Sequence, residues 1–448
     1  MHRLFLSSCS RRSLSTLPER HARSIMPTYG RYDLSFSHGQ GTFLYDTSGN
    51  RFLDFGGGIA VSCLGHNHPE LIEALSSQAS KFMHISNLYY HEPGVECAEK
   101  LVTLLGKGKV FFSNSGAESN EGMYKLARKF GAKSDMEAGR YEVITAINSF
   151  HGRTLGGLSA TGQDKIKKGF FPTVDGFEHI PFNDLEAAAA AITEQTAAIM
   201  IEGIQGEGGI VSASPEYLLG LRKLCNDNNI LLLWDGVQCG HFRSGQFQSY
   251  EKILQGVPGG KSFLPDAISM AKSLGGGFPM GAFWVREPFE DTLTAGYHGT
   301  TYGGNPMGAA VACKILEIIE REDLQSNVQQ KGDFLKASIS ELSSLFPGVI
   351  ESIRGHGLML GIEISDKAFA NSGSTAPPSG QMVAALHKLG VLTVPSGDNI
   401  VRLLPPYNIT EDECSEFLEK LETAVAGCQG IDTAFNDSEA IEKVKENL

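Results

Sequence analysis

The stretch of the chain that decides its fold is ILLLWD, residues 230–235. An unbroken apolar run that ends in an acid predicts a buried strand presenting the carboxylate of Asp235 at its C-terminal tip. A second short run, AISMA at residues 267–271, leads directly to Lys272, which is followed closely by the glycines at 275–277. This order predicts an amine at a strand end, beside backbone that a ligand can approach closely.

An amine and an acid in such positions are what pyridoxal phosphate requires. The cofactor needs an amine that holds it covalently and an acid that keeps its pyridine nitrogen protonated as an electron sink. A strand-end aspartate that faces this cationic nitrogen would stay ionised. We therefore predict that Lys272 and Asp235 are the catalytic residues of a pyridoxal 5'-phosphate site.

Three further segments supply other groups that such a site needs. A Ser/Gly turn within SNSGAESNE (113–121) opens a helical stretch, and its free N–H groups would favour a phosphate. The segment SFHGRT (149–154) contains an aromatic ring that could cover the pyridine and an arginine that could grip a carboxylate. The turn TTYGGNP (300–306) carries two hydroxyls. Each segment is a weak signal alone, and their order is informative.

With these segments the chain resembles the class III, fold-type I aminotransferases, from about Gly41 to about Ala424. The strongest matches are GIAV (58–61) before LGH (64–66), IQGEGG (204–209), VQCG (237–240), Lys272 with its glycines, HGTTYGGNP (298–306) and RGHGLMLG (354–361). The resemblance implies an α/β fold with a large domain built on a mostly parallel seven-stranded sheet. A smaller α+β domain would be formed by the N- and C-terminal segments.

The resemblance also implies a role for each matched residue. Lys272 would hold the cofactor and then move the proton between the substrate carbon and the cofactor carbon, and Asp235 would pair with the pyridinium nitrogen. The other cofactor contacts implied are Gln238 at the ring hydroxyl and Phe150 and Val237 on the two ring faces. At the phosphate, Ser115, Gly116 and Ala117 of the same subunit would be joined by Thr301 of the partner subunit. Because the last contact crosses an interface, a homodimer is expected.

Within the family, the likeness is greatest to acetylornithine aminotransferases of the fungal mitochondrial form. This implies transfer of the δ-amino group of N-acetylornithine to 2-oxoglutarate, a step of arginine synthesis. Arg153 would bind the α-carboxylate, and Glu207 would hold Arg402 in reserve until glutamate or 2-oxoglutarate arrives. The alternatives are an ornithine δ-aminotransferase, another ω-aminotransferase, or a non-catalytic homologue that binds pyridoxal phosphate. The stretch GIAV favours acetylornithine, since ornithine enzymes usually carry a tyrosine nearby.

Composition and charge agree with a large soluble enzyme of two domains. The chain has 448 residues, of which 41% are hydrophobic, and its net charge of −13 disfavours nucleic acid or an anionic membrane as a partner. The eight cysteines form no CxxC pair and are expected to be reduced thiols, and no cluster predicts a metal site. The domains expected are 24–75 and 315–428 for the small domain and 76–314 for the large one, with a peripheral tail at 429–448.

The first 23 residues differ in composition from the rest of the chain. They contain five arginines and five serines but a single acid, Glu19. A segment rich in Arg and Ser and poor in acids is typical of a mitochondrial transit peptide, so we expect import into the matrix. An unstructured basic tail is the alternative.

The chain departs from the family pattern beside the cofactor residues. Gly203 and Gly236 stand where proline and glutamate are usual, and His241 and Phe242 replace small residues. We expect the two glycines to loosen the backbone, at a cost of roughly 0.5–1 kcal/mol each.

Overall fold

The computed structural model describes residues 16–134, 137, 139–370 and 374–428. The strands are β1 Phe36–Gln40, β2 Phe43–Asp46, β3 Arg51–Asp54, β4 Gly108–Ser113, β5 Glu142–Ala146, β6 Phe177–Ile180, β7 Thr196–Glu202, β8 Ile204–Gln205, β9 Val211–Ser212, β10 Leu231–Asp235, β11 Ala267–Met270, β12 Gly281–Arg286, β13 Ile350–His356, β14 Met359–Ile364, β15 Val391–Leu392, β16 Val394–Ser396 and β17 Ile400–Leu403. The helices are α1 Leu17–Ser24, α2 Gly57–Ala60, α3 Pro69–Lys81, α4 Glu92–Leu105, α5 Gly116–Gly131, α6 Leu155–Ala160, α7 Asp164–Lys167, α8 Leu185–Ala190, α9 Pro215–Asp227, α10 Ser249–Ile253, α11 Pro306–Arg321, α12 Leu324–Leu345, α13 Pro378–Lys388 and α14 Glu411–Cys428.

The central sheet contains seven strands of the described chain, in the order β4-β12-β11-β10-β7-β5-β6. Strand β12 runs antiparallel to both of its neighbours, and all other neighbouring strands run parallel. Every residue of β7 and β10 is buried, as expected for strands covered by helices on both faces. The predicted mostly parallel, seven-stranded sheet is confirmed.

Side chains alternate along these strands, and this alternation determines which face of the sheet each side chain occupies. Leu231 and Leu233 of β10 share a core cluster with residues of α5, whereas Leu232 and Trp234 belong to the core on the other face. By the same alternation Asp235 projects to the α5 face. Its register partner on β7 is Glu202, so two neighbouring strands end in acids that lie side by side.

Both ends of the chain build the smaller domain, as predicted. Strands β1, β2 and β3 form a sheet that is completed by β15, which pairs in parallel with β3 through Val391 and Leu53. An antiparallel sheet of order β13-β14-β17-β16 adjoins it. Phe55, just after β3, stacks on Phe417 of α14 with ring centroids 4.1 Å apart, which joins the two segments in one core.

Local predictions met different outcomes. The hairpin of β2 and β3 and the helix from Pro69 to Lys81 are confirmed, and the expected boundaries near 75 and 314 fall inside α3 and α11. Residues 1–15 of the predicted leader and the tail 429–448 lie outside the described residues. In the part of the chain that the structure describes, no helix is both long and apolar enough to cross a membrane.

Candidate active site

A cavity of about 380 Å³ opens at the C-terminal ends of β7, β10 and β11, in front of the first turn of α5. The carboxyl edge of a parallel sheet is the usual position of a ligand site in α/β proteins. Of the residues predicted from the sequence, the cavity is lined by Ser115, Gly116, Ala117, Phe150, Arg153, Asp235, Val237, Gln238 and Lys272.

Lys272 begins a short 3-10 turn directly after β11 and has a φ of 51°. Such a left-handed conformation is uncommon for a residue with a side chain and tends to occur at functional sites. Burial, and second the positive charge of Arg402, lower the pKa of the Lys272 amine to about 8. A larger fraction of this amine than of an ordinary lysine is therefore neutral and nucleophilic close to physiological pH.

This lowered pKa predicts how the protein without cofactor takes up pyridoxal phosphate. Only a neutral amine forms the covalent link, so the rate of incorporation should rise with pH and level off above about 8. An ordinary lysine, with a pKa of about 10.4, would give a rate that still rises above pH 9. The rate is measured by stopped-flow absorbance. In an Arg402→Gln protein the rate should level off at a higher pH. An unchanged pH dependence would contradict the contribution of the Arg402 charge to the lowered pKa of Lys272.

Asp235 is held in place by three donors. Its Oδ2 accepts hydrogen bonds from Asn120 Nδ2 and from His151 Nδ1, each at 2.8 Å, and its Oδ1 accepts one from the backbone N–H of Val237 at 3.0 Å. The residue is only 3% exposed. A buried carboxylate with this many donors is stabilised in its charged form, and it can face a cationic ligand atom without changing position.

The first turn of α5 supplies the anion-binding end of the cavity. Ser115 caps this helix by accepting a hydrogen bond from the backbone N–H of Glu118 at 3.2 Å. The first amides of a helix have no partner within the helix and point towards a ligand. A Cβ atom added at Gly116 would lie 2.6 Å from Val237 Cγ1, so glycine is what allows the helix and the Asp235 loop to approach this closely.

Phe150 and Arg153 reach the cavity from the loop after β5. The guanidinium of Arg153 lies 5.5 Å from the centre of the Phe150 ring. Arg153 is otherwise exposed, which leaves its donors available to a carboxylate that enters from solvent. The backbone N–H of Phe150 donates to Glu202 Oε2 at 3.3 Å, and this contact fixes the start of the loop.

Arg402 and Glu207 meet just behind the cavity. Nη1 of Arg402 donates to Glu207 Oε1 at 2.7 Å and to Gln238 Oε1 at 2.8 Å. Arg402 is 1% exposed, whereas the Glu207 side chain keeps 30% of its surface accessible. Burial acts to raise the pKa of Glu207, but the charge and the hydrogen bond of Arg402, together with Lys272 and Gln238, lower this pKa overall. Gln238 thus connects the ion pair to the cofactor region.

Thr301 lies outside the cavity lining of its own chain and is exposed. The neighbouring Thr300 accepts a hydrogen bond from Asn114 Nδ2 at 2.9 Å, and Asn114 lines the cavity. This segment therefore adjoins the site without entering it within one subunit.

Sequence reasoning missed the residues that orient the acid, namely His151 and Asn120, and it passed over the second acid, Glu202. His151 lies inside the segment recognised as SFHGRT, and Glu202 ends a recognised strand. The signal available for Glu202 was a second acid at the tip of a buried strand, the same pattern that identified Asp235.

Gly203 and Gly236, expected from the sequence to loosen the backbone, are closely packed, because neighbouring side chains occupy the space beside them. A Cβ at Gly203 would overlap the ring of Trp234, and one at Gly236 would lie 2.5 Å from Gln248 Oε1. Gln248 is completely buried. The glycines are required by the close packing of these side chains against the strand ends.

The residues of the cavity fit pyridoxal phosphate by their chemistry. The lysine has a lowered pKa, the buried aspartate is oriented by three donors, and a helix N-terminus faces the same space. An aromatic ring and an aliphatic side chain, Phe150 and Val237, line the walls between these groups. No group of His, Cys, Asp and Glu side chains among the described residues is arranged to hold a metal ion.

Comparison with known proteins agrees with this geometry. Residues 26–425 match the family model described as aminotransferase class-III. The acetylornithine aminotransferase of Mesorhizobium japonicum is 42% identical over 405 residues, which cover 90% of this chain and 96% of the relative. Among solved structures, the ornithine aminotransferase of Toxoplasma gondii ME49 superimposes with a TM-score of 0.85 at 27% identity, covering 93% and 97% of the two chains. The N-acetylornithine aminotransferase of Stenotrophomonas maltophilia K279a superimposes with a TM-score of 0.76 at 32% identity, covering 92% of this chain and 100% of the other.

Proposed function

The chain belongs to the class-III aminotransferases, and on that basis we propose that it moves the δ-amino group of N-acetylornithine to 2-oxoglutarate. It is a pyridoxal phosphate-dependent transaminase. The observation that carries this proposal is that Lys272 and Asp235 line one cavity together with the N-terminus of α5.

Bound pyridoxal phosphate supplies the electron sink for the reaction. Asp235, held by His151 and Asn120, would keep the ring nitrogen protonated. The first amides of α5, from Gly116 and Ala117 after the Ser115 cap, would bind the phosphate of the cofactor. In its neutral form the amine of Lys272 would hold the cofactor, and it would carry the proton between the substrate carbon and the cofactor carbon.

The walls of the cavity favour an acylated donor. Val61, the last residue of the stretch GIAV, lines the cavity, and its side chain offers no hydrogen-bond acceptor. The free α-ammonium of ornithine would lose hydration there without gaining a partner, whereas an acetylated nitrogen is neutral. The α-carboxylate of either donor can be bound by the exposed guanidinium of Arg153.

A coupled assay tests the substrate. The purified protein should show its highest kcat/KM with N-acetylornithine when acetylornithine, ornithine and 4-aminobutyrate are each supplied with 2-oxoglutarate. A higher kcat/KM with ornithine would favour the ornithine δ-aminotransferase alternative. The chain also resembles the T. gondii ornithine aminotransferase in structure. No turnover with any donor would indicate a non-catalytic homologue.

A homodimer is the second part of the proposal. It is supported by an exposed apolar patch, which consists of Phe82, Met83, Leu88, Tyr89, Tyr90 and Tyr302. Hydrogen bonds from Asn87 to Thr300 O and from Asn305 to Met83 O, each 3.0 Å long, hold its two segments together. Tyr90 is fully exposed. Large exposed patches of this kind usually mark protein interfaces, and Thr301 lies within this one.

We predict that Thr301 completes the phosphate site of the opposite subunit. Thr301→Ala should weaken pyridoxal phosphate binding by about tenfold, because one hydrogen bond to a charged group is lost. Mixing Thr301→Ala subunits with Lys272→Ala subunits should restore one complete site per mixed dimer, and activity at limiting cofactor should return. If Thr301 acts within its own chain, mixing will restore nothing. Sedimentation of the wild type checks for the dimer itself.

We also propose a fungal, mitochondrial form of the enzyme, with residues 1–23 as the import signal. The support is the Arg- and Ser-rich composition and the position of α1, whose residues are exposed apart from the half-buried His21. We predict that residues 1–23 direct a fluorescent reporter to mitochondria and that changing Arg3, Arg11 and Arg12 to Glu abolishes import. A reporter that stays in the cytosol with the native leader would contradict matrix localisation.

A further inference from the structure

Glu202 is a buried acid directly beside Asp235 to which the proposed reaction assigns no role. The two residues end neighbouring parallel strands in register, so they project side by side to the same face of the sheet. Glu202 lines the cavity and is 5% exposed. Two ionised carboxylates in adjacent buried positions repel each other strongly, so their hydrogen bonds decide which of them carries the charge.

The hydrogen bonds favour Asp235 as the charged member of the pair. Asp235 accepts from two side chains, Asn120 and His151, and from one amide. Among the described residues, Glu202 accepts hydrogen bonds from the backbone amides of Phe150 and Gly206 alone, and the Phe150 contact is long at 3.3 Å. Burial, and second the charge of Asp235, raise the pKa of Glu202 well above its usual range.

The other charged groups around the pair do not reverse this order. Arg402 is directly paired with Glu207, so the charge of its guanidinium is already balanced by another acid. The Lys272 amine has a lowered pKa and interacts with Asp235 more strongly than with Glu202. The charge of Glu207 raises the pKa of Glu202 further.

We propose that Glu202 is a positioning residue that works as a neutral carboxylic acid, holding the backbone of Phe150 in place without adding a second negative charge beside Asp235. The Phe150 ring would thereby stay over the cofactor. Because the site keeps a single carboxylate at this point, the cationic ring nitrogen has one defined partner. The assignment of Asp235 to the ring nitrogen rests on the proposed function, whereas the protonation of Glu202 does not.

Infrared spectroscopy of the holoenzyme tests the protonation directly. The difference spectrum between wild type and Glu202→Gln should contain the C=O stretch of a protonated carboxylic acid at neutral pH. The matched spectrum for Asp235→Asn should instead contain carboxylate stretches. Carboxylate bands for Glu202 would overturn the proposal. The measurement needs no substrate, so a protein without transaminase activity would still give a clear answer.

Two further readouts separate positioning from a general structural role. Glu202→Gln should leave the pH midpoint of the bound cofactor's absorption band unchanged, whereas loss of a charged neighbour would lower it by about one unit or more. Glu202→Ala, which removes the acceptor for Phe150 N–H, should weaken cofactor binding by about tenfold, and Glu202→Gln should restore it. A lowered midpoint, or equal weakening in both variants, would overturn the proposal.

Discussion

Replacing Lys272 with alanine should lower kcat by about 10³-fold or more while pyridoxal phosphate still binds without a covalent link. The cofactor would retain the contacts of Asp235 and of the α5 N-terminus, but no amine would hold it or move the proton. Spectra and single-turnover kinetics measure both effects. In the wild type, borohydride should fix the cofactor on Lys272.

A surface lysine provides the matched control for this variant. Lys223 lies on α9, its side chain is 75% exposed, and it pairs with Asp227 within the same helix. Lys223→Ala should therefore keep full activity. A small amine added to the Lys272→Ala protein should restore part of the proton transfer, because it can occupy the vacated volume. Borohydride labelling of another lysine, or a Lys272→Ala protein with near-native kcat, would refute the assignment.

Removing Glu207 should separate the two half-reactions. In the resting protein the Arg402 charge is satisfied by Glu207, and the donor can place its uncharged chain nearby. Glu207→Ala leaves a buried cation that still contacts Gln238 and the carbonyls of Gly206 and Pro395. The loss of one charge-assisted hydrogen bond, about 1.5–3 kcal/mol, should slow the acetylornithine half-reaction roughly 10–100-fold. The glutamate half-reaction should be unchanged or faster.

Arg402→Ala should have the opposite selectivity, because it removes the cation that glutamate would bind. Single-turnover conversion of the bound cofactor by each donor separates the two variants. Glu207→Gln keeps a hydrogen-bond acceptor without the charge, and it should fall between wild type and Glu207→Ala. Equal losses for both donors in Glu207→Ala would reduce this residue to a structural acid.

The sequence was sufficient to predict the sheet and the two ends of the cofactor site. The apolar run before Asp235 and the run before Lys272 are β10 and β11, and these strands are neighbours in the sheet. Such a prediction works because burial on both faces imposes a continuous apolar pattern and because parallel strands bring their tips to one edge.

Contacts between segments that are distant in the chain could not be predicted from the sequence. The partners of Asp235 come from α5 and from the loop after β5, and only the folded register brings Asn120 and His151 to the same oxygen. The close packing at Gly236 was not predictable for a similar reason. Its space is filled by Gln248, twelve residues later, and propensity rules for glycine do not include such a neighbour.

The pairing of β3 with β15 has a consequence for synthesis on the ribosome. Leu53 of β3 is synthesised early, but its sheet is complete only after Val391 of β15 has also been synthesised. At about 5–20 residues per second, translation leaves that strand edge without its partner for on the order of 20 to 70 s. An unpaired edge is a template for association with other chains. Nascent chains should therefore depend on chaperones until about seven eighths of the protein has been made, and truncations before Val391 should aggregate.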